Sequence, residues 1–103
     1  MHIVPQRTTA YLTVTFRDKD GVAVAPESVD YRIDCLTTST AIKASTAVSP
    51  AATVEIVLSA DDNDIVDETN TREARRVTVT AVYGAGDEAN DEFDYAVKNL
   101  SGV

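Results

Sequence analysis

Apolar and polar residues alternate with a period of two along five separate stretches of the chain, each bounded by turn-forming residues. In AYLTVTF, the residues Ala10, Leu12, Val14 and Phe16 share one face. VDYRIDCL sets Val29, Tyr31, Ile33 and Cys35 against Asp30, Arg32 and Asp34. ATVEIVL repeats the pattern with Val54, Ile56 and Leu58, RRVTVTAVYG with Val77, Val79, Ala81 and Tyr83, and EFDYAVKN with Phe93, Tyr95 and Val97. Successive side chains of a strand point to opposite faces, so this spacing predicts strands with one face on a core and the other in water. Half-buried strands of this kind belong to antiparallel sheets, because parallel strands covered on both faces read as continuous apolar runs. A shorter strand is expected around TAIKAS.

One stretch departs from the rhythm. SADDNDIVDETNTREA offers Ser59 as an N-cap with Asp62 three residues on, a capping-box spacing that predicts one short helical turn in a crossover loop. Six or seven short strands with one such crossover predict a single all-β domain, an antiparallel two-sheet β-sandwich. A length of 103 residues allows one domain. Residues 9–103 are assigned to the sandwich, and residues 1–8 to either an N-terminal docking arm or an edge strand of the same domain. Cys35 is the single cysteine, so no internal disulfide staples the fold.

The net charge of −8 is unevenly placed. Residues 1–50 hold five basic and five acidic groups, whereas residues 51–103 hold four basic and twelve acidic ones. This balance argues against nucleic-acid binding, which needs a basic face for phosphates, and it favours soluble, mutually repelling particles. The opening MHIVPQRTTAYLTVTF lacks a basic start followed by an apolar stretch, and no run approaches membrane-spanning length. A protein made in a cytoplasm, without a membrane partner, is the expectation.

Two acidic loops invite a calcium reading. From Asp18 an EF-hand-type series would need a central Gly and a carboxylate at the twelfth position, yet the glycine, Gly21, comes too early and the twelfth residue is Val29. Asp20-Gly21 is therefore expected to be the positive-φ corner of a turn. The second cluster, Asp61, Asp62, Asp64, Asp67 and Glu68, would make a cation site only if its loop folded back on itself. Otherwise it is a solvated surface offset by Arg72, Arg75 and Arg76, with charge suited to the start of the helical turn.

Catalytic arrangements are not apparent. His2 is the only histidine, Cys35 lies on the inward face of its strand, and the four glycines form no phosphate-cradling loop. A non-enzymatic chain without cofactors is expected. Partner contacts are instead expected at the ends of the chain: Met1, His2, Ile3, Val4 and Pro5 of the arm, and Leu100 and Val103 after the last strand.

LTVTFRDKDGVAVAPESVDYRID resembles the B-strand, turn and C-strand of bacterial immunoglobulin-like domains, with Asp18 to Gly21 and Val24 to Pro26 at the matching positions. In order, VDYRIDCLTT, SPAATVEIVLSADDNDI, TREARRVTVTAVYG and DYAVKNLSG resemble small proteins from the structural gene modules of tailed bacteriophages and prophages. This likeness implies an immunoglobulin-like virion structural protein assembled in the host bacterial cytoplasm. Its expected role is a capsid decoration, or cement, subunit bound to the major capsid protein. A neck or tail component bound to connector or tail proteins is the alternative within that class. A surface- or carbohydrate-binding immunoglobulin-like module is the alternative outside it, weakened by the absence of tryptophan.

Overall fold

The alternating stretches become strands, with boundaries set by where their partners end. A computed structural model describes residues 2–100. It contains seven strands: β1 (His2–Pro5), β2 (Ala10–Thr15), β3 (Ser28–Cys35), β4 (Thr40–Val48), β5 (Thr53–Leu58), β6 (Arg72–Val82) and β7 (Glu88–Lys98). Five form one sheet in the order β1-β7-β6-β3-β4, and β2 and β5 form a second. Val14 of β2 and Val54, Ile56 and Leu58 of β5 share one core cluster with inner-face residues of the larger sheet, so the two sheets pack face to face. Those partners include Val29, Tyr31 and Ile33 of β3 and Val77, Val79 and Ala81 of β6.

Pairing is antiparallel with one exception, and the exception corrects the expectation of a purely antiparallel fold. β1 runs parallel to β7, from His2 beside Tyr95 to Pro5 beside Lys98. Its alternation is too short to read from sequence, with Val4 the one buried residue among its four. The start of the chain is thus an edge strand.

The turn around Asp20-Gly21 forms as expected. Gly21 adopts φ +80°, its N–H donates to the Asp18 carbonyl at 3.0 Å, and Asp18 Oδ1 accepts from the N–H groups of Asp20 and Val22 at 2.9 and 3.0 Å. The Asp18 carboxylate is spent on its own turn.

The helical turn expected after Ser59 is absent, although its cap is present. Asp62 N–H donates to Ser59 Oγ at 3.2 Å and Ser59 N–H to Asp62 Oδ2 at 3.4 Å, the reciprocal bonds of a capping box. One i→i+4 bond follows, from Asn63 N–H to the Ser59 carbonyl. A continuing helix would next bond Asp64 N–H to the Ala60 carbonyl and Ile65 N–H to the Asp61 carbonyl, but Asp64 N–H donates to the Asp61 carbonyl at 3.4 Å and Ile65 N–H to Asp64 Oδ1 at 3.0 Å. Beyond them it would bond Val66 N–H to the Asp62 carbonyl and Asp67 N–H to the Asn63 carbonyl. All four groups have other partners. The Asp62 carbonyl accepts from Arg75, the Asn63 carbonyl from Arg7 N–H, and the two N–H groups donate to Glu73. The segment is accordingly a loop, and the one helical piece among the described residues is a 3-10 turn at Gly84–Gly86, between β6 and β7.

Two strands cannot cover five. At about 4.8 Å between strands, the smaller sheet spans roughly 10 Å against roughly 24 Å for the larger. It lies over β3 and β6, whose inner residues are buried, while β4 has no fully buried residue and Ala89 and Asp91 of β7 stay exposed. At one end the deficit is filled by the crossover loop, which buries Ile65. Ile33, at 0% exposure, sits at the centre of the covered region. Ile33→Asp is expected to abolish the cooperative melting transition, because it places an unpaired carboxylate in the core. Thr13→Asp, on the exposed face of β2, should leave the transition in place, and calorimetry of both variants checks this.

Candidate functional site

Continuing the alternation of β6 back from Val77 puts Arg75 and Glu73 on the inner face, and both are fully buried. Glu73 Oε1 accepts from Val66 N–H and from Arg75 Nη2, each at 2.9 Å. Its Oε2 accepts from Asp67 N–H at 2.9 Å and from Asn70 Nδ2 at 3.1 Å. Burial pushes the Glu73 carboxyl up, but these four bonds outweigh it and hold the group down at about 2. Arg75 Nη1 donates to the Asp62 carbonyl at 2.7 Å and Nη2 to the Asp64 carbonyl. Among the described residues, Arg75 Nε is the one fully buried side-chain nitrogen or oxygen without a partner.

Asn63, also buried, extends this network. Its Nδ2 donates to the carbonyls of Thr8 and Leu58, and its Oδ1 accepts the Tyr95 hydroxyl proton at 2.8 Å. Burial pushes the Tyr95 hydroxyl up to about 12, so it remains a donor across the ordinary pH range. Gln6, just after β1, links the crossover to the segment after β7: Nε2 donates to Asp64 Oδ1, while Oε1 accepts from Leu100 N–H, both at 3.0 Å. The network's chemistry is thus directed at backbone groups, and it fixes the crossover against β1, β6 and β7.

The acidic cluster is dispersed by these bonds. Asp62 caps Ser59 and lies 3.6 Å from Lys43 Nζ. Asp64 pairs with Gln6 and, at 3.4 Å, with Arg7. Asp67 accepts from the N–H and hydroxyl of Thr69, which hold its carboxyl below the usual range. Asp61 and Glu68 point to solvent. Among the described residues no three His, Cys, Asp or Glu side chains are placed to hold one metal ion. The expected offset by Arg72, Arg75 and Arg76 is also corrected. Arg7 and Lys43 pair with the cluster, Arg75 takes its carbonyls, and Arg76 pairs with Glu92 and Asp94 on the outer face of the large sheet.

Of the residues expected to meet partners, Val4 belongs to the core, and His2, Ile3 and Pro5 are exposed. Leu100 is half-buried, and Met1 and Val103 lie outside the described residues. His2 and Val4 also line a groove of about 470 Å³ that opens between β2 on one side and β1 and β7 on the other. Its floor is apolar, with Leu12, Leu58, Val77 and Phe93, and Tyr11, 64% exposed, stands at its mouth. A second depression of about 180 Å³ continues along the same strands past Val14, Val79 and Asp91. The groove is the counterpart of the uncovered inner face of β7. No stretch of sequence signals it, since it arises from unequal sheet widths.

The depressed acidity of Glu73 sets a pH dependence. An unfolded glutamate titrates near its ordinary value of 4.5 and the folded one near 2, so the unfolded chain takes up the proton first. The stabilisation is complete above pH 4.5 and is lost as pH falls through 2, with an upper size of about 3 kcal/mol. Glu73→Gln strands the buried Arg75 charge and turns an amide NH2 toward existing donors. It should cost about 3–5 kcal/mol, lowering Tm by more than about 10 °C, and should remove this acid dependence in urea melts between pH 2 and 7. Chelator and added calcium are expected to leave the wild-type Tm unchanged, given the dispersed carboxylates. Compared with protein-family models, curated proteins and solved structures, the chain matches none.

Proposed function

We propose that this chain is a non-enzymatic immunoglobulin-like sandwich that serves as a structural component of a tailed-phage virion. In this reading it is a decoration subunit held on the head shell by protein–protein contacts. Support for the fold comes from strand order. The run β7-β6-β3-β4 corresponds to G-F-C-C′ of a variable-type immunoglobulin sandwich, β2-β5 corresponds to B-E, and the D strand is missing.

The observation that carries the functional reading is the division of labour among polar groups. Glu73, Arg75, Asn63 and Gln6, the buried polar side chains among the described residues, are spent on fixing the crossover and the chain ends. What remains for other molecules is an apolar groove and unpaired strand edges on an acidic body. Those surfaces suit a protein partner. The resemblance of the four quoted segments to phage structural-module proteins supplies the biological setting.

Quantified gels of purified particles test it. A copy number matching the capsomers of the shell is expected. A number matching the connector ring or tail tip would move the chain to the neck or tail, and absence from particles would overturn the virion reading.

A further inference from the structure

The groove has one wall that is an open strand edge. β7 runs for 11 residues, but β1 occupies only the part from Tyr95 to Lys98. Upstream, Glu88 to Asp94 pair, among the described residues, with β6 alone. Their other side has no strand partner among the described residues over roughly 23 Å, at about 3.3 Å per residue, although Glu92 N–H on that side donates to Asp91 Oδ1 at 2.8 Å, a bond an arriving strand would replace. β1 already lies on this same edge in register, so strand addition to it is realised within the molecule itself.

The side chains flanking the vacant edge specify what fits. On the inner face, Phe93 is half-buried beside Val77, and Leu12 faces it across the groove. On the outer face stand Glu88, Asn90, Glu92 and Asp94. Arg76 is bonded to Asp94 at 2.9 Å and to Glu92 at 3.3 Å, one cation against two carboxylates, with Glu88 beyond them. Asp91, exposed on the inner side opposite Val79, adds further negative charge. An arriving strand sets its alternate side chains beside these residues, and opposite charges in such pairs stabilise while like charges destabilise.

We infer that Glu88 to Asp94 receive an extended segment of a partner protein in which apolar residues alternate with Lys or Arg. The segment adds to the sheet as a strand, with its apolar side chains in the groove and its cations beside Glu92 and Asp94. A second copy of this chain fits poorly, because two such edges set acid against acid. The inference rests on the protein-binding reading above and deepens it by naming the chemistry of the partner.

The test uses a terminally blocked nine-residue peptide alternating lysine and valine, titrated into the full chain while backbone amides are followed by NMR and hydrogen exchange. A lysine–serine peptide and a glutamate–valine peptide serve as comparisons. Expected results are new protection of amides within residues 88–94, at least tenfold weaker binding of the lysine–serine peptide, and no binding of the glutamate–valine one. The double variant Asp91→Lys/Glu92→Lys, whose sites are exposed, should weaken the lysine–valine peptide at least tenfold with Tm retained. Equal binding of the two lysine peptides would reduce the effect to surface charge and overturn the inference. So would no binding, or protection mapped elsewhere. Self-association through residues 88–94 in sedimentation would overturn it in favour of a second copy. A negative peptide result together with particles that contain the protein would reject this edge and leave the virion reading standing.

Discussion

A buried carboxylate and guanidinium, side by side on the inner face of β6, hold one end of this molecule in shape. Burying such a pair costs several kcal/mol per ion in desolvation, and mutual attraction alone need not repay it. Here the repayment comes through the backbone. Glu73 collects the N–H groups of Val66 and Asp67, and Arg75 collects the carbonyls of Asp62 and Asp64. Apolar residues of equal volume would fill the space but leave those four groups unpaired under the crossover, at about 1–3 kcal/mol each. The pair therefore acts as a template that makes a non-helical loop affordable in a buried setting. Asn63 and Gln6 extend it to β1, β5 and the segment after β7, so the chain ends and the crossover form one linked unit.

The second constraint is the unequal width of the two sheets, and the flanks of the larger sheet manage it differently. On the β4 side, two register shifts against β3 roughen the edge. Lys43 turns over the Tyr31 ring, 5.6 Å from its centroid, and approaches Asp62. Bulges and an inward-pointing cation are recognised ways of making an edge strand unattractive to other strands. On the β7 side the register is unbroken through residues 88–94, the inner face opens on an apolar groove, and the edge is guarded by acidic charge and by Asp91 Oδ1 on Glu92 N–H. Acid repels acid, which keeps copies of this protein apart while leaving the edge open to a cation-bearing strand. The two flanks are chemically distinct.

Much of the fold was legible because burial follows phase. Val29, Tyr31, Ile33 and Cys35 are inward where the alternation put them, as are Val54, Ile56, Leu58, Val77, Val79 and Ala81. Gly21 turns where the Asp-Gly pair said it would. The same phase extends to Glu73 and Arg75, yet residue type pulls the reading the other way: a charged residue at an inward position reads as the end of a strand, and β6 began too late. That one error propagated. Without Glu73 and Arg75 inside, nothing competes for the backbone of residues 62–67, and the Ser59–Asp62 cap reads as the start of a helical turn. The parallel β1 was illegible for another reason, since its partner lies over ninety residues away and four residues carry no period.

These features give the molecule two unlike ends. At the end holding the crossover, polar bonds close the space between the sheets and tie down Gln6, Thr8, Asn99 and Leu100. At the other, where β6 passes through the Gly84–Gly86 turn into β7, Ala89 and Asp91 look out from an inner face that no strand covers. Filling that face from within would need a further strand beside β2, but the strand that precedes β2, His2–Pro5, pairs with β7 in the larger sheet instead. The short connection between β4 and β5, residues 49–52, has a different consequence: it omits a strand that would have flanked β5 on the β4 side. The open flank beside β7 follows from β1 joining the larger sheet, and a partner strand would add to that same sheet.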